Sequence, residues 1–161
     1  MKVVQEISTG HFFAAKITNI NEENYGRLAI KEFQTLSELS HCNIIKPSHL
    51  LIDMLVCKAY MFMPILAEIT LSDVLASREE ALLECEVQSI ARQLTSALAH
   101  VHSKRVIHRD INPNNVMYAD GKAVLIDFQT CTRLDSTKWM MSQVGTGAYT
   151  APEMKTSPVY K

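Results

Sequence analysis

The sequence predicts an α+β fold, in which about four antiparallel strands and one helix precede a mainly helical part that carries a β-hairpin. Three observations lead there. Short apolar runs bounded by turn residues crowd the first 63 positions. Residues 84–103 repeat apolar side chains at helical spacing. Farther on, Val116–Tyr118 and Ala123–Ile126 flank Asp120-Gly121, a dipeptide that favours a tight hairpin turn.

Taken in order, Val3, Val4 and Ile7 predict a first strand and Phe12 to Ile17 a second, with the turn at Thr9-Gly10. Leu28, Phe33, Leu36 and Leu39 predict a helix over 22–40, for which Asn21 is the expected cap. Two more strands are expected over Ser48–Met54 and Cys57–Met63. Pro47 cannot donate to a sheet ladder and belongs at a strand entrance or an edge. Thr70-Leu71-Ser72-Asp73 is a capping signature for a short helix ending near Ser77. The helix over 84–103 carries its stripe at Val87, Ile90, Ala91, Leu94, Leu98 and Val101. His100 and His102 stand two apart, so a helix turns them to different faces and they are not read as metal ligands.

With 161 residues and 47% apolar composition, the chain fits one domain of ordinary size with a real core. Sixteen Lys+Arg against 17 Asp+Glu give a net charge of −1, which favours neither a nucleic-acid surface nor a polybasic membrane patch. No window approaches a membrane span. Four scattered cysteines without a CxxC pair read as reduced thiols. A soluble, cytoplasmic protein is the expectation.

The chemistry gathers at residues 106–127. A polar loop from His108 to Asn115 precedes the hairpin, and Asp127 follows its second strand, so the hairpin carries Asp110, Asn115 and Asp127 toward one end. Two carboxylates and an amide are hard oxygen donors, suited to Mg²⁺ and a phosphate rather than to zinc or haem.

His108-Arg109-Asp110-Ile111-Asn112-Pro113-Asn114-Asn115, followed by an apolar strand and Asp127-Phe128, resembles the catalytic loop and metal-binding segment of eukaryotic protein kinases. Gly145-Thr146 and Tyr149 with Ala151-Pro152-Glu153 resemble the end of the activation segment in Ser/Thr kinases, and Asn112-Pro113 argues against a tyrosine kinase. The resemblance implies a small lobe at 1–63, a hinge at 64–66 and a large lobe at 67–161 truncated at its end. It implies ATP and Mg²⁺ as cofactors and a protein substrate. Asp110 would take the proton of the substrate hydroxyl, and Asn115 and Asp127 would hold Mg²⁺. Lys16, after Ala14-Ala15, would contact the α- and β-phosphates, and Glu32 would pair with it; Glu38 stays open as the alternative register. Ala14, Met63, Leu66 and Met117 complete the cofactor-binding set, with Met63 guarding the back of the adenine pocket. If phosphorylated, Ser142 would pair with Arg109, although an ordinary loop serine reads as well there.

Several departures from the family pattern bear on activity. No Gly-x-Gly-x-x-Gly occurs, and Met1 falls where a valine caps the adenine. Asn112 replaces the loop lysine that contacts the transferred phosphate. Gln129 replaces the glycine of Asp-Phe-Gly, with a loss of backbone freedom. No helices follow Ala-Pro-Glu, so the 84–103 helix is expected to expose an apolar patch, which implies a covering partner, self-association or low stability, and Glu153 lacks an arginine partner. The sequence therefore points to an ATP-dependent protein Ser/Thr kinase, with an impaired, nucleotide- or partner-binding module as the alternative.

Overall fold

A computed structural model of the chain describes residues 1–20, 23–66, 69–134, 145–152 and 155. Asn21, Ser142 and Glu153 lie outside the described residues. Four strands, β1 (Lys2–Gln5), β2 (Phe12–Asn19), β3 (His49–Asp53) and β4 (Lys58–Pro64), form one antiparallel sheet in the order β1-β2-β4-β3. Pro47 precedes β3, which is an edge strand, so its missing N–H costs no ladder bond. Strand β4 runs one residue beyond the expected Met63, so Pro64 is its last residue and pairs with Phe13.

Ile7 was expected in the first strand and is instead a fully exposed turn residue. Glu6 N donates to His11 O and Gly10 N to Glu6 O, which closes the loop before Ile7 can pair. Gly10 at φ +75° completes the reversal.

Helix α1 (Glu23–Glu38) lies against this sheet. Ala29, Glu32, Leu36 and Leu39 recur at three- and four-residue spacing and are all buried, so the helix turns one glutamate toward an otherwise apolar face. Helix α2 (Leu71–Ser77) starts at the expected capping box: Asp73 N donates to Thr70 Oγ1 at 3.1 Å and Thr70 N donates to Asp73 Oδ2 at 2.7 Å.

Helix α3 (Glu84–Ser103) spans the predicted range. Its buried line runs through Ile90, Ala97 and Val101, with Leu94 and Leu98 partly covered. Val87 and Ala91, expected in the stripe, are exposed, and Val87 with Leu83 forms an open apolar patch at the helix start. Ala91 sits about 100° around the helix from Ile90 and misses the line geometrically.

The remaining elements position the loops. Strand β5 (Val106–Ile107) leads into a 3-10 turn at Pro113–Asn115, which runs into β6 (Val116–Ala119) and β7 (Lys122–Leu125). Asp120 at φ +50° and Gly121 at φ +75° give the two left-handed residues of a type I′ turn. Strand β8 (Thr132–Arg133) pairs back onto β5. The hairpin is fixed by an amide network centred on the buried Asn43. Asn43 Nδ2 donates to Gln93 Oε1 and to Ala123 O, both at 2.7 Å, and Gln93 Nε2 donates to Gly121 O at 2.8 Å. Ile45 N also donates to Leu125 O, and Leu125 N to Asn43 O. Residues 43–45, on the way from α1 to β3, are thereby stitched to the hairpin, and a single core runs from α1 and β4 through α3 to β7.

Candidate functional site

The hairpin reading explains why Asn115 and Asp127 are neighbours. Asn115 directly precedes β6 and Asp127 follows β7 by two residues, and Ile126 N donates to Asn115 O at 2.9 Å. Asp127 takes a left-handed backbone, φ +59°, which Asp tolerates better than most residues. Gln129 is not left-handed, so the glycine-like freedom expected to matter at 129 is not used there.

Lys16 stands at the centre. On β2, the register Ala14↔Met63 and Lys16↔Met61 puts these four side chains on one face of the sheet. From that face the Lys16 ammonium donates to Glu32 Oε1 at 2.8 Å, to Glu32 Oε2 at 3.0 Å and to Asp127 Oδ1 at 2.6 Å. The alternative register fails because Glu38 pairs with Arg133 instead. Glu32 is 3% exposed and also accepts the Phe128 backbone N–H, which satisfies a carboxylate otherwise costly to bury.

One ammonium here serves two carboxylates. Burial alone would lower the Lys16 pKa, but Glu32 and Asp127 together hold it above its ordinary 10.5. Burial raises Glu32 above its ordinary 4.5, and the shared ammonium only partly offsets this. With one ammonium facing two carboxylates, the three side chains carry one surplus negative charge when all are ionised.

Asp110 has a different environment. Its Oδ1 accepts from Thr146 N at 2.8 Å, Thr146 Oγ1 at 2.8 Å and Asn112 Nδ2 at 3.0 Å, whereas Oδ2 accepts from Asn115 Nδ2 at 2.8 Å. Burial opposes ionisation, yet the hydrogen bonds from Thr146, Asn115 and Asn112 outweigh it and hold the carboxyl below its ordinary 3.8. Asn112, 4% exposed, also donates to Thr146 Oγ1 at 3.1 Å and caps the 3-10 turn by accepting from Asn114 N at 2.9 Å. Asn115 spends its amide hydrogens on Asp110, which leaves its amide oxygen as the donor atom for an ion. With the partly exposed Asp127 carboxylate, this is a hard-oxygen set that fits Mg²⁺. Among the described residues no group of three or more His, Cys, Asp or Glu side chains could hold a metal ion.

Beneath the loop, His108 and Phe128 are fully buried against each other, ring edge to ring face at 4.6 Å. Asp110 N donates to His108 Nδ1, and His108 Nε2 bonds to Ile126 O, so the ring is neutral with its proton on Nε2. Burial pushes its pKa below the ordinary 6.5 despite the Ile126 carbonyl and nearby carboxylates. Because the unfolded chain takes up that proton first, stability is full above about pH 6.5 and falls as pH drops toward the folded value. The Asp110 contribution is lost lower, as pH falls below about 4, whereas Glu32, raised by burial, acts in the opposite sense from about pH 4.5 upward. The melting midpoint should therefore decline between pH 7 and 5.5, and His108→Gln should flatten that slope in a pH series of thermal melts.

A cleft of about 590 Å³ joins these parts. Ala14, Lys16, Glu32, Met63, Leu66, Met117, Asn115 and Asp127 line it, and so do Met1 and Val3 from the β1 end. Asp110 and Asn112 do not line it; they lie in the adjoining loop, linked through Asn115. Sequence reasoning met Thr146 only as part of a motif, yet it is the main partner of Asp110. The signal was the adjacent glycine. Gly145 sits at φ +119°, and a Cβ there would stand 3.0 Å from Arg109 O. Gly145→Ala should lower stability by about 1–3 kcal/mol in urea melts, since both the backbone region and the contact oppose it. His100, set aside as a ligand, accepts from Ser40 N and lies 5.7 Å from the His41 ring.

Residues 1–161 match the model of the protein kinase domain. The chain is 32% identical over 163 residues to the serine/threonine-protein kinase pak-1 of Caenorhabditis elegans, covering 96% of this chain and 27% of that protein. It is 31% identical over 159 residues to the serine/threonine-protein kinase PAK 1 of Mus musculus, covering 96% and 28%. With pakA of Talaromyces marneffei it shares 31% over 160 residues, covering 96% and 24%. The chain thus spans about a quarter of the length of the curated relatives it matches.

Proposed function

Because the chain belongs to the protein kinase domain family, we propose that its cleft binds ATP with Mg²⁺ and passes the terminal phosphoryl group to a serine or threonine hydroxyl of a protein substrate. The observation that carries this reading is Lys16 held between Glu32 and Asp127 in a cleft whose apolar lining includes Ala14, Met63, Leu66 and Met117. An ammonium fixed in this way contacts the α- and β-phosphates without wandering, which is the positioning that phosphoryl transfer requires. The apolar residues take the adenine, and the backbone at 64–66 reads its edge. Asn115 and Asp127 would hold Mg²⁺, which would supply positive charge against the phosphate oxygens. Asp110 receives the proton of the substrate hydroxyl as its oxygen bonds to phosphorus and ADP departs. Its Oδ2, with one donor against three on Oδ1, is the side open to that hydroxyl. The names of the relatives support Ser/Thr specificity, and four unpaired cysteines accord with a reducing, cytoplasmic setting.

One observation favours a second reading, a nucleotide-binding module with poor turnover. Asn112 is neutral and engaged with Asp110 and Thr146, so it brings no charge to the transferred phosphate. A thermal melt with and without Mg-ATP tests the first step: saturation at 100 times Kd should add about 2.7 kcal/mol, and no upward shift would overturn both readings. Turnover then separates them. If Asn112 limits the chemistry, Asn112→Lys should raise kcat about tenfold or more at unchanged Mg-ATP affinity, as expected for one restored electrostatic contact.

A further inference from the structure

We infer that one polar stripe of α1, Lys31 and Glu38 with Thr35 between them, is the device that positions Glu32 against Lys16, by gripping residues 131–133. These residues stand at i, i+4 and i+7, one line along the helix. Lys31 Nζ donates to Cys131 O at 2.8 Å. The buried Thr35 hydroxyl bonds with the buried Cys131 thiol. Glu38 forms an ion pair with Arg133. Glu32, one position on from Lys31, accepts the Phe128 N–H from the same segment.

The grip has a firm anchor. Arg133 and Thr132 pair with Val106 and Ile107. Just before them, Thr130 O accepts from Arg109 Nε at 2.7 Å, and Thr130 Oγ1 donates to His108 O at 2.9 Å. The stripe therefore ties α1, through one short segment, to the loop that holds Asp110. Helix α1 also packs against the sheet, and on another of its faces Ala29 and Leu36 are buried. Apolar packing is non-directional, so burial of this face turns Glu32 inward without fixing the exact rotation of the helix about its axis. Hydrogen bonds and the ion pair are directional, so the stripe selects the rotation at which Glu32 meets Lys16.

Lys31 and Glu38 are thus positioning residues for the proposed nucleotide site, and their effect on ATP rests on that reading. Lys31 is exposed and the Glu38–Arg133 pair is about half-exposed, so their replacement spares the core. The test uses Lys31→Met, Glu38→Arg, Arg133→Glu and the swap Glu38→Arg/Arg133→Glu. Amide hydrogen exchange across α1 is measured without nucleotide, and Mg-ATP affinity by titrated thermal shift. Each single variant should speed α1 exchange and weaken Mg-ATP about fivefold, the scale of one lost exposed ion pair. The swap should return both to within about twofold of the parent chain. Unchanged α1 exchange in the single variants, or a swap that recovers nothing, would overturn the inference. If the parent chain binds no Mg-ATP, the functional reading fails while the exchange measurements still decide this one.

Discussion

Asp127→Asn is expected to abolish Mg-ATP-dependent phosphoryl transfer, by about 10³-fold or more, in a protein that remains folded. The side chain does two things at once. It accepts the Lys16 ammonium at 2.6 Å, and its remaining oxygen is the charged member of the pair proposed for Mg²⁺. Removal of one preorganised electrostatic contact costs about 10²–10³-fold, and here the site also loses its only charged ligand to the ion. Folding should be spared because Asn accepts the left-handed backbone of residue 127 as readily as Asp does. Relief of the surplus negative charge around Lys16 should even favour ionised Glu32 in the absence of nucleotide. The measurement is turnover alongside a melt: the nucleotide-free midpoint should hold while the Mg-ATP shift disappears. Turnover that persisted in this variant would refute the assignment of Asp127.

Phe128→Ala should remove about 3–5 kcal/mol of stability, enough to unfold much of the population at 37 °C. Phe128 is 0% exposed and heads the largest fully buried side chains. It meets the His108 ring edge-on, within the core that links α1 and β4 to the hairpin. Truncation leaves a cavity bounded by a polar ring that cannot move, because both ring nitrogens of His108 are bonded to backbone. Collapse around the gap is therefore limited, which places the cost at the upper end for such changes. Phe128→Leu keeps most of the volume and should cost less than half as much. Urea melts at neutral pH measure both. A loss below 1 kcal/mol for the alanine variant would mean that residues 127–128 are not anchored by this ring. The consequence reaches function, since the Phe128 peptide N–H supports Glu32 and its neighbour Asp127 touches Lys16.

Much of this protein was determined by sequence alone, where the governing physics is local. The Asp120-Gly121 turn follows from left-handed backbone preference, the α2 start from Thr70 and Asp73, and α3 from its periodicity, because each depends on neighbours a few residues apart. Local reading failed where a distant contact settled the matter. Ile7 looks like strand until the bonds made by Glu6 close the loop, and Val87 and Ala91 look buried until the packing partners of α3 are known. At the site the sequence supplied the residue types, and the tertiary structure decided the pairings. The sequence favours Glu32 over Glu38 without excluding the second register; the rotation of α1 sends one to Lys16 and the other to Arg133. The joining of Lys16 to Asp127 spans 111 positions, and that of Thr146 to Asp110 spans 36. No periodicity or propensity encodes such distances, because they are set by how the sheet, α1 and the hairpin share one core.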